Sequence, residues 1–376
     1  MTRELINELS LGVLVPCKVC VIVPTVGNPE ELAVALDGLG NQTFADVEIV
    51  VVGPERDPGR DVVEQRGIRY LDEGKSKTRA DACNLAIGET ESELVLFTDD
   101  DVIVPSDWVA NLVRWFERPE VAGVGGPNFA PPNISTTWQK AIDVAFCNEF
   151  FTAGTNYGRM AGDELEEVEQ LPGVNSAYRR LVLEEVGGFD EGAIGAEDVM
   201  LDLRIKKAGH RLWSDGSAIM WHRRRGLGRV MKQIRNYGLV RKLAGHRYPS
   251  LWGWSHSMVS LFPPLILLSI ALFSWGSING GIMWPEFWDI STKAVPIGAE
   301  RIAVHQLPTL AVLYNLMAWT GAVKGSSPNK SVSTVFLSSF VSFLLHWNYG
   351  IGAIKGRFAI ARGMSLSQID DREREA

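Results

Sequence analysis

Cysteine is scarce in this sequence, and its scarcity argues against a small extracellular protein built on disulfides. Four cysteines, Cys17, Cys20, Cys83 and Cys147, occur among 376 residues. Their neighbours are mostly apolar, so we expect the region that contains them to stay in a reducing compartment. Cys17 and Cys20 have the spacing of half a zinc site, but the chain offers no second pair to complete it.

Positive charge is also in short supply over the whole chain. Lys and Arg number 37 against 45 Asp and Glu, a net charge of -8, which argues against a nucleic-acid partner. Hydrophobic residues make up 46% of the chain, which excludes a disordered tail protein and allows two or three domains of roughly 150 residues. The N-terminus lacks a long apolar run with a cleavage site, so we expect residues 1–250 to stay in the cytosol.

Charge of either sign is absent from three long runs near the C-terminus. Lys, Arg, Asp and Glu are missing from residues 251–285, 302–323 and 331–354. At about 1.5 Å per residue, each run is long enough to cross a hydrocarbon core of about 30 Å. Flanking Trp and Tyr favour membrane spans over buried helices of a soluble domain. We therefore predict a transmembrane region, 251–354, with about three spans, and a charged tail, 355–376.

Acidic residues are absent between Asp215 and Glu286, and the segment before the first apolar run is strongly basic. Nine Lys and Arg lie from Arg223 to Arg247. Residues 221–250 are predicted to form a basic amphipathic helix at the cytoplasmic membrane face, where it attracts anionic membrane lipids. The alternative is that these charges act only as a topology signal.

The number of spans stays open at this point. Three spans would place Lys355, Arg357 and Arg362 outside, against the positive-inside rule. Pro263 and Pro264 are compatible with a kinked or re-entrant first segment, which would restore an even count. The predicted location is the cell membrane, multi-pass, with the catalytic domain in the cytosol.

The first 220 residues alternate between predicted strands and helices. The runs Val19–Val23, Val47–Val52 and Leu94–Phe97 are apolar throughout, as in a parallel sheet that helices cover on both faces. Asn28 and Pro29 are typical of a helix start, and the next turns carry one apolar stripe of Leu32, Leu36 and Leu39. The pattern predicts an α/β domain over residues 1–220.

Three adjacent carboxylates, Asp99, Asp100 and Asp101, follow the third of these strands. Ligands of parallel α/β sheets lie beyond the carboxyl ends of the strands, and like charges repel one another there unless a cation is bound. Mg²⁺ or Mn²⁺ held by carboxylates commonly completes its shell with phosphate oxygens. The turn therefore predicts a divalent metal with a nucleotide diphosphate, and a solvated acidic turn is the alternative.

Four further motifs follow in a fixed order. They are Gly-x-Asn-x-x-x-Arg-Arg at 173–180, Gly-Gly-Phe-Asp-Glu at 187–191, Glu-Asp-x-x-Leu at 197–201, and a histidine at 222. With the strand that ends in Asp-Asp-Asp, this order resembles the membrane-anchored family 2 glycosyltransferases of exopolysaccharide and lipid-linked glycan assembly. The resemblance covers roughly residues 18–245. It implies the GT-A fold, which is Rossmann-like with a mostly parallel sheet.

The resemblance also implies roles for single residues. Asp198 would be the general base, with Glu197 beside it, and Asp99, Asp101 and His222 would hold the metal. An ordinary carboxylate of a helix start is the alternative for Asp198, and a structural histidine the alternative for His222. The predicted nucleotide-sugar-binding residues are Pro24, Thr25, Glu55, Lys77, Asn84, Asp99, Asp100 and Asn175.

Two positions depart from the family pattern. Relatives commonly carry Asp-Asp-Gly-Ser after the second strand, whereas this chain reads Gly-Pro-Glu-Arg-Asp at 53–57, so recognition of the base is open and Glu55 or backbone groups are the candidates. Cys83 replaces the usual arginine before Asn84, which leaves Lys75, Lys77 or Arg79 as the cation near the diphosphate.

The leading hypothesis is an inverting, metal-dependent sugar transferase. Its donor would be a nucleotide sugar, and its acceptor a lipid-linked or glycan molecule at the cytoplasmic membrane face. A processive polysaccharide synthase is the first alternative, although the chain lacks Gln-x-x-Arg-Trp. A membrane scaffold or transporter with a non-catalytic nucleotide-sugar site is the second, and the intact aspartates argue against it.

Overall fold

The structure is a computed structural model that describes residues 18–74, 78–148, 150–152, 165–280 and 298–366. Its chain divides into two compact units. The first consists of Met1–Asn128, Ala161–Ala193 and Leu201–Trp221. The second consists of Phe129–Met160, Ile194–Met200 and His222–Ala376.

An eight-stranded sheet forms the centre of the first unit. Its spatial order is β3 (Arg69–Asp72), β2 (Val47–Gly53), β1 (Val19–Pro24), β4 (Leu94–Phe97), β9 (Ser176–Arg179), β6 (Val121–Gly125), β10 (Arg211–Asp215) and β8 (Leu165–Val168). Four of its pairings are parallel and three are antiparallel. A three-stranded sheet has the order β5 (Val102–Ile103), β11 (Met220–His222) and β7 (Asn128–Phe129).

The α-helices of the described residues follow the chain in this order: α1 (Pro29–Gly40), α2 (Arg60–Glu64), α3 (Arg79–Gly88), α4 (Trp108–Val113), α5 (Thr137–Phe146), α6 (Arg180–Glu185), α7 (Glu197–Lys207), α8 (Leu227–Arg247), α9 (Trp254–Gly280), α10 (Ala299–Lys324) and α11 (Val332–Ala361). The predicted α/β class with a mostly parallel sheet is therefore confirmed.

The strands that the apolar runs predict are all present, because these runs lie in the core of the sheet. Every residue of β4 is buried, and β1 is buried from Val19 to Val23. Helix α1 buries Leu32, Leu36 and Leu39, the predicted stripe. Its start differs in one detail: the Asn28 amide makes no cap bond to the backbone and instead donates to the Glu31 carboxylate.

The pairing of β1 with β4 sets the position of the acidic turn. The two strands are parallel, with Ile22 opposite Phe97, so their carboxyl ends lie at the same edge of the sheet. Residues that follow Pro24 and Phe97 are therefore neighbours although some seventy positions separate them in the chain. This edge is where the sequence predicts the nucleotide and the metal.

The three uncharged runs correspond to the three long helices α9, α10 and α11 of the second unit. Among the described residues, one helix, Trp254–Asn279, is long and apolar enough to cross a membrane. Only 17% of its most apolar window is buried, in contrast to the core helix of a soluble protein. Composition and length thus support one candidate span out of the three that the sequence predicts.

Helix α8, predicted to lie on a membrane surface, packs along α11. Glycines make the close approach possible: Gly352 lies against the carbonyl of Arg235, and Gly356 lies against Leu239 and Lys242. The apolar face of α8 contributes Val230 and Ile234 to a cluster with residues of α5 and α11. The C-terminal half of α11 therefore runs beside a charged helix.

The basic segment is also less uniform than its composition suggests. The sequence shows no acidic residue near Arg224, yet this side chain is buried and forms an ion pair with Asp143 of α5 at 2.8 Å. Asp143 also accepts hydrogen bonds from Ser327 at 2.6 Å and Asn329 at 3.0 Å. Although residues 216–285 contain no acidic residue, Arg224 is thus neutralised by a carboxylate from an earlier part of the chain.

A glycine substitution tests the packing of α8 against α11. A Cβ at Gly238 would overlap the carbonyl oxygen of Tyr349, so Gly238→Ala should lower the free energy of unfolding by about 1–3 kcal/mol. Gly228, on the same helix, has nothing within 4 Å of its Cβ position, and Gly228→Ala should stabilise by up to about 1 kcal/mol. Thermal unfolding of the detergent-solubilised protein measures both, and equal effects would contradict the packing.

Candidate active site

The acidic turn after β4 is held by an arginine at the start of α3. Arg79 donates to Oδ1 of Asp99 through Nη2 at 2.9 Å and through Nε at 3.2 Å. Its Nη2 also donates to the carbonyl of Gly173, at the Gly-x-Asn motif, at 3.0 Å. Arg79, one of three candidate cations in the sequence, thus fixes the first carboxylate. Lys75 and Lys77 lie outside the described residues.

The second carboxylate of the turn is held by the residues that follow β1. The Thr25 hydroxyl donates to Oδ2 of Asp100 at 2.6 Å, and the Val26 amide donates to the same oxygen at 3.4 Å. Burial raises the pKa of Asp100 to about 6, and the charges of Asp101 and Asp99 add to the rise. The predicted residue Thr25 is therefore buried against the acidic turn, and Pro24 ends the strand that carries it.

Asp99, Asp101 and His222 form a group that suits a divalent cation. Each offers one ligand atom, and these atoms all lie within 4.8 Å of one another. The fold explains the approach, since β5 follows Asp101 directly and pairs with β11, whose last residue is His222. Two carboxylate oxygens and one imidazole nitrogen fit the chemistry of a divalent metal.

The loop after β2 carries Glu55, and recognition of the base by this residue remains a prediction. The Glu55 side chain is exposed. Asp57, which no sequence motif marks as a site residue, is buried and accepts hydrogen bonds from the amides of Gly27 at 2.6 Å and Gly59 at 2.7 Å. Asp57 therefore fixes the loop after β1, where Thr25 lies. The Asp-Pro-Gly sequence at 57–59 predicts a turn at this position from the sequence alone.

Two asparagines that the sequence predicts as donor-binding residues, Asn84 and Asn175, form hydrogen bonds within the protein. Asn84 donates to the carbonyl of Phe189 at 2.9 Å and accepts from its amide at 2.8 Å. It therefore holds the Gly-Gly-Phe-Asp loop to α3. A contact of Asn84 with the donor remains a prediction, whereas the contact in the structure is structural.

Asn175 has a similar role deeper in the core. Its side chain is fully buried, accepts from Nε1 of Trp108 at 2.8 Å, and donates to the carbonyls of Pro127 at 3.1 Å and Ala218 at 2.7 Å. These three bonds connect α4 to the segments around β7 and β11. The asparagine of the Gly-x-Asn motif thus stabilises the edge of the sheet from within the core.

Glu197 and Asp198 form the first turn of α7. The preceding Ala196 adopts φ +57°, a left-handed conformation that costs a residue with a Cβ roughly 1–2 kcal/mol. Oδ1 of Asp198 accepts from the Val199 amide at 2.8 Å. Backbone strain beside a predicted catalytic carboxylate is typical of functional sites.

Residues 20–187 match the family model described as Glycosyl transferase family 2. The O-antigen chain rhamnosyltransferase of Salmonella typhimurium is 27% identical over 213 residues, which cover 54% of this chain and 66% of that protein. The glucosyl-dolichyl phosphate glucuronosyltransferase of Haloferax volcanii is 29% identical over 192 residues, which cover 46% and 56%. The chain thus spans about half to two thirds of the length of these relatives.

A solved structure supports the fold of the chain. The mannosyltransferase PcManGT of Pyrobaculum calidifontis, in complex with GDP-Man and Mn²⁺, has a TM-score of 0.50 and 19% sequence identity, over 91% of this chain and 87% of that one. The predicted GT-A fold is therefore confirmed.

Proposed function

We propose that this chain, which carries a family 2 glycosyltransferase domain, transfers a sugar from a nucleotide-sugar donor to a lipid-linked acceptor at the cytoplasmic membrane face, with inversion at the anomeric carbon. The observation that carries the proposal is the convergence of Asp99, Asp101 and His222 at the carboxyl edge of the sheet. The likeness to a rhamnosyltransferase and a glucuronosyltransferase supports the transfer of a sugar.

Asp99, Asp101 and His222 would hold Mg²⁺ or Mn²⁺ together with the diphosphate of the donor. A divalent cation supplies neutralising charge to a departing nucleoside diphosphate. Arg79 keeps Asp99 in position, and Thr25 lies where the nucleotide would pass the end of β1. The resemblance of PcManGT, whose structure contains GDP-Man and Mn²⁺, supports this assignment.

Asp198 would act as the general base. Its carboxylate removes the proton of the acceptor hydroxyl as the oxygen attacks the anomeric carbon opposite the leaving diphosphate, so one displacement inverts the configuration. Glu197 lies beside it and adds negative charge to the same turn. The strained backbone at Ala196 would hold the carboxylate in one orientation.

A lipid-linked acceptor requires that the protein lie at the membrane, and helices α8 to α11 are the candidates for this contact. One relative is named for a dolichyl phosphate acceptor, and the basic helix α8 precedes the apolar helix α9. We infer that α9 and α10 enter the membrane as a helical pair, because Gln306 of α10 donates to the Ser269 carbonyl of α9 at 2.8 Å. Helix α11 contacts α9 through Phe262 and Phe343, whose ring centroids are 5.4 Å apart, and its C-terminal half, which packs along α8, would remain on the cytosolic side.

Cysteine labelling tests this topology. The described native cysteines Cys20, Cys83 and Cys147 are buried, so a chain with Cys17 replaced by serine should give little background. Arg229→Cys on α8 and Arg362→Cys after α11 should both react with a membrane-impermeant maleimide from the same side of sealed vesicles. Labelling from opposite sides would restore a crossing by α11.

Metal dependence follows from the proposed metal group. Asp101→Asn removes one charged ligand and should lower transfer by about 10²- to 10³-fold, the scale of a lost electrostatic contact to a developing charge. EDTA should abolish turnover of the unmodified protein, and added Mn²⁺ should restore it. Calorimetric titration with Mn²⁺ provides a readout that does not depend on activity, and unchanged affinity in the variant would refute the assignment.

The role of Asp198 is tested by separating binding from transfer. Asp198→Asn keeps the shape of the side chain but cannot accept the proton, so transfer should fall by about 10²- to 10⁴-fold while donor affinity stays unchanged. Calorimetry with the nucleoside diphosphate and a product assay by mass spectrometry measure the two quantities. A variant that transfers at the normal rate would mean that the base is another residue.

A further inference from the structure

Arg241 of α8 is a partly buried cation with an unusual set of contacts. Its Nε donates to the carbonyl of Leu251 at 3.1 Å and to Nε2 of His256 at 3.0 Å. His256 packs against the ring of Trp252 at 5.4 Å between centroids. The guanidinium is therefore held at Nε by two neutral acceptors, neither of which supplies a negative charge.

Two other basic residues of α8 and the segment before it have structural partners within the protein. Arg224 is paired with the carboxylate of Asp143. Arg235 donates through Nε and Nη2 to Oδ1 of Asn348, which connects α8 to α11. In the part of the chain that the structure describes, the two terminal nitrogens of Arg241 make no hydrogen bond.

The surroundings of Arg241 favour an anion. Burial lowers the pKa of Arg241, and burial together with the charge of Arg357 lowers the pKa of Lys242. Lys242 follows Arg241 in α8, and its Cβ lies 2.8 Å from the Cβ position of Gly356, the residue before Arg357 in α11. Buried charges in proteins are normally paired, so a bound anion would stabilise Arg241.

The segment that leads into Asp198 lies against α8 beside Arg241. Gly195, three residues before Asp198, has its Cβ position 3.5 Å from Cγ1 of Val240, the residue before Arg241. In agreement with this packing, the negative charge of Asp198 raises the pKa of Arg241 against the effect of burial. The two side chains form no ion pair within 4.0 Å, since the described contacts of Arg241 are those to Leu251 and His256. An anion on Arg241 would consequently lie near the proposed base.

We propose that Arg241 binds the phosphate or diphosphate of the lipid-linked acceptor, and that Leu251 and His256 position its guanidinium for this contact. This inference rests on the proposed function and assigns one residue to its acceptor site. A guanidinium offers two parallel N–H donors to a phosphate, which an ammonium group does not. Leu251 and His256 flank the start of the apolar helix α9, so the bound phosphate would lie at the level of lipid headgroups.

Steady-state kinetics of the full chain test the assignment. Arg241→Gln should raise the apparent KM for a polyprenyl-phosphate-linked acceptor by about 10- to 100-fold, the loss expected for a hydrogen bond to a charged group. Arg241→Lys should recover only part of this loss. Arg229→Gln removes the same charge from an exposed position of α8 and serves as the matched control, with a nearly unchanged KM. Donor hydrolysis in the absence of acceptor should be unchanged in Arg229→Gln.

A second variant keeps the charge of Arg241 and removes one of the two groups that accept hydrogen bonds from it. His256→Ala leaves Arg241 in place and removes the ring that accepts from its Nε, so the KM for the acceptor should rise by about two- to tenfold. Circular dichroism and thermal unfolding confirm that each variant is folded. A normal KM in folded Arg241→Gln would overturn the inference.

Binding measurements identify the source of the phosphate. Flotation with phosphatidylcholine vesicles that contain polyprenyl phosphate should weaken in Arg241→Gln and not in Arg229→Gln. With phosphatidylglycerol in place of polyprenyl phosphate, the two variants should behave alike, and a selective loss in Arg241→Gln there would mean that Arg241 binds bulk headgroups instead of the acceptor.

The proposed function can fail separately from this inference. If the unmodified protein neither hydrolyses nor transfers sugar from any nucleotide sugar, the proposed function is refuted. Calorimetry with inorganic diphosphate still decides whether Arg241 is an anion site, because Arg241→Gln should then bind it at least about tenfold more weakly than Arg229→Gln.

Discussion

Repulsion among the carboxylates of Asp99, Asp100 and Asp101 is the constraint on which the sheet edge depends. Like charges at the end of a buried strand raise one another's pKa unless donors or a cation stabilise them. The chain supplies different donors to different members: Arg79 binds Asp99, and Thr25 binds Asp100. The turn therefore keeps one geometry, in which the ligand atoms of Asp99 and Asp101 remain close enough to share a cation.

Local sequence predicts the strands that form this edge but not the long-range hydrogen bonds that stabilise it. Strands β1, β2 and β4 and the stripe of α1 follow from hydrophobic runs and periodicity, which are properties of neighbouring residues. The bonds of Asn84 to Phe189 join positions 105 apart, and the bond of Asn175 to Trp108 joins positions 67 apart. A motif can show that an asparagine is required at such a position, but it cannot distinguish a ligand contact from a backbone contact. Only the three-dimensional pairing does so.

The C-terminal helices show a second limit of sequence reasoning. Absence of charge predicts a helix in an apolar environment, and α9, α10 and α11 are all present. Lipid and a protein neighbour both accept apolar side chains, so hydropathy does not identify which of them surrounds a helix. In α11 the distinguishing residues are Asn348, Gly352 and Gly356, which contact α8. A polar residue and small residues on one face of an apolar helix are the local signs of a helical partner.

In the basic segment, too, the environment of a residue matters more than composition, because Arg224 and Arg241 carry the same charge in different surroundings. Desolvation of Arg224 is compensated within the chain, because Asp143 neutralises it. Arg241 donates to a carbonyl and an imidazole, which orient the guanidinium, and the charge of Asp198 raises its pKa without an ion pair. The first arrangement stabilises the fold with or without a ligand. In the second, the proposed anion would recover part of the cost of burial, so that free energy would contribute to its affinity. A rigid cation near the proposed base would therefore select among acceptors, which a mobile surface lysine could not do.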